Sequence, residues 1–128
     1  MRKLITGCML LLSSITLSAQ KQFEHLSPTK ENILTVLSHH GIKHPKYVLA
    51  QAIQECGLKT GSRNNLFGLR HRRGYYTFKH WSYSVVMYKN KIQSRYRDGE
   101  NYLSFLKRIR YAESPNYTSR IKSISARL

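Results

Sequence analysis

Five stretches of the chain place apolar residues at helical spacing, and turn-forming residues separate them. In "SPTKENILTVLSHHG", Ile33, Val36, Leu37 and His40 recur on one face, and Gly41 supplies a stop. Ser27 is placed to cap this helix, with Pro28 at its first turn. A second helix is predicted from Pro45 to about Cys56, closed by Gly57. Its expected buried stripe is Leu49, Ala52, Ile53 and Cys56. The next stretch, "LKTGSRNNLFGLRHRRG", is rich in turn formers and basic residues and reads as a loop. "YYTFKHW" combines aromatic and β-branched residues and predicts a short strand or hairpin arm. Helical spacing returns in "SYSVVMYKNKIQSRY" through Val85, Val86, Lys89 and Ile92. It continues in "DGENYLSFLKRIRY" through Tyr102, Leu103, Phe105, Leu106 and Ile109. The last helix, "SPNYTSRIKSIS", starts with Ser114 as expected cap and Pro115 in the first turn. No internal repeat or second domain interrupts this pattern. The expected class is α+β, predominantly α, with a small β element.

The N-terminus follows different rules. "MRK" is a positively charged start, "LITGCMLLLSSITL" is apolar but short for a bilayer, and "SAQ" offers small residues for cleavage. Residues 1–20 are therefore expected to be a secretory signal peptide, with residues 21–128 as the exported domain. A short membrane anchor is the alternative. "ITGC" also resembles a lipoprotein signal at Cys8, but the apolar run "MLLLSSITL" follows that cysteine rather than preceding it. After cleavage no stable membrane insertion is expected, and the domain should be a monomer.

Composition narrows the chemistry. The chain has 22 Lys and Arg against six Asp and Glu, a net charge of +16 that falls to +14 without Arg2 and Lys3. Such a charge suits polyanions. Export turns the expectation from nucleic acid toward cell-wall polymers, whose binding should weaken as salt rises. Cys56 is the single cysteine of the exported part, so no intramolecular disulfide can form. The six His show no pattern with Cys that would hold a metal, and His39 and His40 are adjacent and diverge. No metal or organic cofactor is expected.

Glu55 is the carboxylate whose position matters. It lies beside Val48 and Ala52 at the edge of the buried stripe, one turn after Gln51, and in the last turn of its helix. Half-burial and the negative end of the helix dipole both favour the neutral carboxyl, as a general acid requires. The plainer alternative is a solvated residue on a helix flank. Between Glu55 and Asp98 there is no Asp or Glu. Asp98 and Glu100 precede a helix, where a negative charge is favourable without any catalytic role.

"HPKYVLAQAIQECG", "NNLFGLR", "YYTFKHWSYSVVMY" and "YAESPNYTSRI" together resemble, in the same order, the motifs of the bacterial endo-β-N-acetylglucosaminidases of glycoside hydrolase family 73. That group includes flagellar peptidoglycan hydrolases and many autolysins. The resemblance spans about residues 28–124. It implies a lysozyme-like fold, with a helical core and a small β lobe over a glycan cleft. It also implies cleavage of peptidoglycan between N-acetylglucosamine and N-acetylmuramic acid. By position, Glu55 corresponds to the general acid and Tyr117 to an aromatic residue beside it. Asn64 and Asn65 fall in a cleft-lining loop. Gln51, Phe67, Tyr76 and Trp81 complete the residues expected at the glycan; of the rings Tyr75, Tyr76, Phe78 and Trp81, which could stack on sugars, one or two are expected to do so.

The chain departs from the family after Trp81. Members often read Trp-Glu-Glu-Ser-Val there, whereas this chain reads "WSYSV". Glycoside hydrolysis ordinarily uses two carboxylates. Three routes remain: attack by the substrate's N-acetyl oxygen, attack by the muramic 6-hydroxyl as in a lytic transglycosylase, or attack by a water that Tyr117 positions. Hydrolysis is favoured by the motif order, and a wall-binding module without turnover is the rival of another class.

Overall fold

The computed structural model describes residues 21–128, so the signal-peptide expectation for residues 1–20 lies outside the described residues. Five helices form the body: α1 (Lys30–His39), α2 (Pro45–Cys56), α3 (Trp81–Lys91), α4 (Tyr102–Arg108) and α5 (Tyr117–Ala126). Two short strands, β1 (Arg70–His71) and β2 (Gly74–Tyr75), pair antiparallel with Arg70 opposite Tyr75 and His71 opposite Gly74. The architecture is the expected one, mostly helical α+β with a minimal β element.

α2 is the central element. Val48, Leu49, Ala50, Gln51 and Ala52 are five consecutive buried residues, so the helix is enclosed on all sides through its middle. The predicted single stripe was too narrow; Ile53 and Cys56 are only partly covered. α5 packs along α2 more extensively than any other element, and α1 covers another side. The cage opens at the two ends of α2, at Pro45 and Lys46 and again in the last turn, which carries Glu55. Gly57 ends the helix in the left-handed conformation, φ 57°, and its N–H donates to Ile53 O at 2.8 Å.

Several boundaries differ from the sequence reading. α1 begins at Lys30 with Thr29 as its cap, because the Thr29 hydroxyl accepts the Asn32 N–H at 3.1 Å. Ser27 instead accepts the Asn32 side-chain amide at its carbonyl. Ser114 and Pro115 form a turn ahead of α5, in which Tyr117 N–H donates to Ser114 O at 3.2 Å. The hairpin turns at Arg72–Arg73, so β1 and Gly74 fall in the stretch expected to be loop and only Tyr75 of "YYTFKHW" is in a strand. Trp81 starts α3, a helix that ends at Lys91 and gives way to a 3-10 turn at Gln93–Arg95. The buried face of α3 runs through Trp81, Val85 and Tyr88, while Lys89 is exposed and Val86 only partly covered.

Candidate active site

Asn64 and Asn65 build the loop that faces α2. Asn64 adopts the left-handed conformation at φ 51°, which Asn tolerates well. Its side-chain amide donates to Phe78 O at 3.0 Å and Lys79 O at 3.2 Å. The buried Asn65 side chain accepts from Leu69 N–H at 3.0 Å and donates to Leu69 O and Tyr76 O at 2.9 and 3.0 Å. Both amides are thus occupied in bracing the loop rather than offered to a ligand. Leu66 and Phe67 anchor it in the core, each with no exposed surface. Tyr111 clamps it from the other side by donating to Phe67 O at 2.6 Å. The outcome is the placement of Gly68, at φ 61°, directly against the Glu55 side chain.

Two grooves meet at this point. One, of about 760 Å³, runs past Leu69, Arg70, Arg95, Arg110 and Tyr111; the other, of about 560 Å³, runs past Thr60, Ser62, Arg63 and Asn65. Glu55, Gly68 and Tyr75 line both. Tyr75 is the one large apolar side chain that stands out from the surface of the described residues, at 41 % exposure. The guanidinium groups of Arg63 and Arg70 lie 5.0 and 4.7 Å from its ring centroid. An open carboxylate thus stands at the middle of a through-going cleft, opposite an exposed ring.

Glu55 is open to solvent along the cleft, yet protein packed around its carboxyl group raises its pKa above the ordinary carboxylate value. The Tyr117 hydroxyl acts in the opposite sense and draws the value partly back. A group walled on one side and wet on the other accounts for both its exposure and its shift. Cys56, half-buried with its thiol donating to Ala52 O at 3.2 Å, has its pKa pushed up by burial, which suits packing rather than nucleophilic attack.

Behind Glu55 lies a chain of hydrogen bonds that runs from the surface at Lys43 into the core. Lys43 N–H donates to Gln93 Oε1 at 2.7 Å, and Gln93 Nε2 donates to Lys43 O at 2.8 Å, which fixes the amide's orientation. Gln93 Nε2 also donates to the Tyr102 hydroxyl oxygen at 3.0 Å. Tyr102 therefore has its hydrogen free for the Tyr88 oxygen, and Tyr88 donates to Gln51 Oε1. Gln51 Nε2 in turn donates to the Tyr117 oxygen at 3.2 Å. The Tyr117 hydrogen is the one left over, and the Glu55 carboxyl is the neighbouring acceptor. Burial drives the Tyr88 and Tyr117 pKa values up and that of Tyr102 to about 12, so all three remain neutral donors.

The residues expected at the glycan thus divide. Glu55 and Tyr117 come together, and Asn65 borders one groove. Gln51 is wholly buried and acts on Tyr117 instead of a ligand. Phe67 is a core residue 4.5 Å from the Tyr88 ring centroid. Trp81 is also core, with its indole N–H donating to Leu26 O at 2.9 Å. Tyr76 is half-buried, and its hydroxyl accepts from Lys91 at 2.7 Å on the flank of the β hairpin. The cleft ring is its neighbour Tyr75. Alternation along the hairpin could have separated the two only once the true strand register was known. Among the described residues no group of three or more His, Cys, Asp or Glu is arranged to hold a metal ion.

No curated protein and no solved structure matches the chain. Residues 30–128, which hold all five helices, the hairpin and the cleft, match the Glucosaminidase family model, described as mannosyl-glycoprotein endo-beta-N-acetylglucosaminidase. The chain belongs to this family, and the protein is a glycoside hydrolase of the endo-β-N-acetylglucosaminidase type with a lysozyme-like fold.

Proposed function

We propose that the protein is an exported peptidoglycan hydrolase, cutting the β-1,4 bond between N-acetylglucosamine and N-acetylmuramic acid with Glu55 as general acid. The observation that carries this reading is the position of Glu55 where the two grooves join, under a raised pKa. A glycan strand laid along both grooves has sugars on either side of Glu55, so the linkage cut is an internal one. The protonated carboxyl donates to the glycosidic oxygen as the bond to the anomeric carbon breaks. Tyr117, held by Gln51, keeps that carboxyl oriented. Tyr75 offers its face to a sugar ring. Arg63, Arg70, Arg95 and Arg110 along the cleft suit a strand that bears carboxylates.

The test is digestion of purified peptidoglycan by wild type and Glu55→Gln, with mass analysis of the fragments. Reducing N-acetylglucosamine ends, released by wild type only, are the expected result. Equal release by the mutant would remove Glu55 from the chemistry. One sequence feature favours a second reading: the chain has no carboxylate between Glu55 and Asp98. Anhydro-muramic ends would establish the transglycosylase route, which needs a single Glu. Pelleting on walls without any release would establish a binding module.

A further inference from the structure

Of the six Asp and Glu set among 22 Lys and Arg, three have a cation partner among the described residues. Glu24, Asp98 and Glu100 pair with Lys79, Lys43 and Arg108. Glu31 sits in the first turn of α1, where the helix dipole favours a negative charge. Glu55 and Glu113 make no ion pair among the described residues, and both line the larger groove. Arg70, Lys91, Arg95 and Arg110 line it too, yet none of them comes within ion-pair distance of either carboxylate.

The connection that carries Glu113 runs between α4 and α5 and is tethered on both sides of it. Tyr111 donates to Phe67 O at 2.6 Å, and its ring stacks on Tyr117 at 5.6 Å between centroids. Tyr117 then meets Glu55. Arg110, at φ 54°, turns the chain in a conformation that side chains other than Gly, Asn and Asp rarely adopt. Glu113 is thus an exposed residue on an anchored loop, facing the same groove as the acid.

We propose that Glu113 is the second carboxylate of this site, the base that activates the attacking water. This role replaces a β-lobe carboxylate with one from the connection between α4 and α5, and it rests on the hydrolase reading above. The water oxygen bonds to the anomeric carbon as the glycosidic C–O bond breaks. The Glu55 proton goes to the leaving oxygen and the water proton goes to Glu113. Exchange with solvent then returns each carboxyl to its starting state, with no change of oxidation level.

The test compares Glu113→Gln, Glu113→Ala and Glu55→Gln on purified peptidoglycan. A base of this kind contributes about 100-fold or more, so kcat of Glu113→Gln is expected to fall by that factor. The melting temperature should hold, because Glu113 is exposed. Sodium azide should restore turnover to Glu113→Ala, with a glycosyl azide as product, and should not restore Glu55→Gln. A Glu113→Gln enzyme as fast as wild type, beside an inactive Glu55→Gln, overturns the assignment and leaves Glu55 in place. A rise in KM alone, without rescue by azide, also overturns it and makes Glu113 a binding group. Absence of any fragment from wild type overturns the hydrolase reading itself.

Discussion

The Glu55 carboxylate occupies the space that any side chain at position 68 would need: a Cβ built on Gly68 would lie 2.7 Å from Glu55 Oε2. Gly68 is also at φ 61°, where an L side chain is strained. Gly68→Ala therefore has to displace the carboxyl group. The backbone strain alone should cost about 1 kcal/mol, and glycan cleavage should fall about 100-fold with the misplaced acid. Thermal melts and initial rates on the same variant separate the two effects.

Glu55→Gln should gain stability where wild-type Glu55 is forced to ionise. The folded carboxyl has a pKa above its unfolded value, so the stabilisation from keeping it protonated is fully present below about pH 4.5. It is lost as pH rises through the higher folded value. Paired melts should thus coincide at low pH and separate toward neutrality, with the glutamine variant the more stable. The same titration predicts a fall in wild-type activity on the alkaline side, as the acid loses its proton.

Tyr117→Phe removes the hydroxyl that favours the Glu55 anion. The alkaline limb of the pH–rate profile should move to higher pH, which a purely structural defect would not cause. The change also leaves the Gln51 amide without an acceptor in the core, a cost of about 1–3 kcal/mol. Tyr88→Phe should carry a similar stability penalty, since it removes the donor to Gln51 Oε1.

Asn65→Ala tests whether the loop is scaffold or ligand contact. Its three short hydrogen bonds to Leu69 and Tyr76 are all internal. Loss should destabilise the domain by about 2–3 kcal/mol, because the buried Leu69 amide is left without a partner. If the melting temperature instead holds and only KM rises, the side chain serves the glycan.

Helix positions and class were legible in the sequence because apolar spacing reports burial directly. Glu55 was legible too, from its place beside Val48 and Ala52. Trp81 and Phe67 belong to the core and not to the glycan surface, a placement the sequence hid because an aromatic residue in a loop or at the end of a short element carries no sign of which side it faces. Gln51 and Tyr88 were harder: a polar residue inside a core declares itself only through partners distant in the chain. The hairpin was displaced by several residues since two-residue strands leave almost no alternation to read. Tyr75, the exposed ring of the cleft, could not be told from Tyr76, Phe78 and Trp81 for the same reason.

The chain of amides and hydroxyls from Lys43 to Tyr117 begins at the surface on a main-chain group and ends in the core. The links from Gln93 onward can offer their hydrogens toward Glu55, and the first donor is a peptide N–H, which no substitution of a side chain can turn into an acceptor. A backbone group some distance along the fold thereby stands at the head of the relay that ends at the acid's neighbour. Rearrangements of the cleft rim can alter which sugar is held, but this starting donor stays wherever the main chain keeps it.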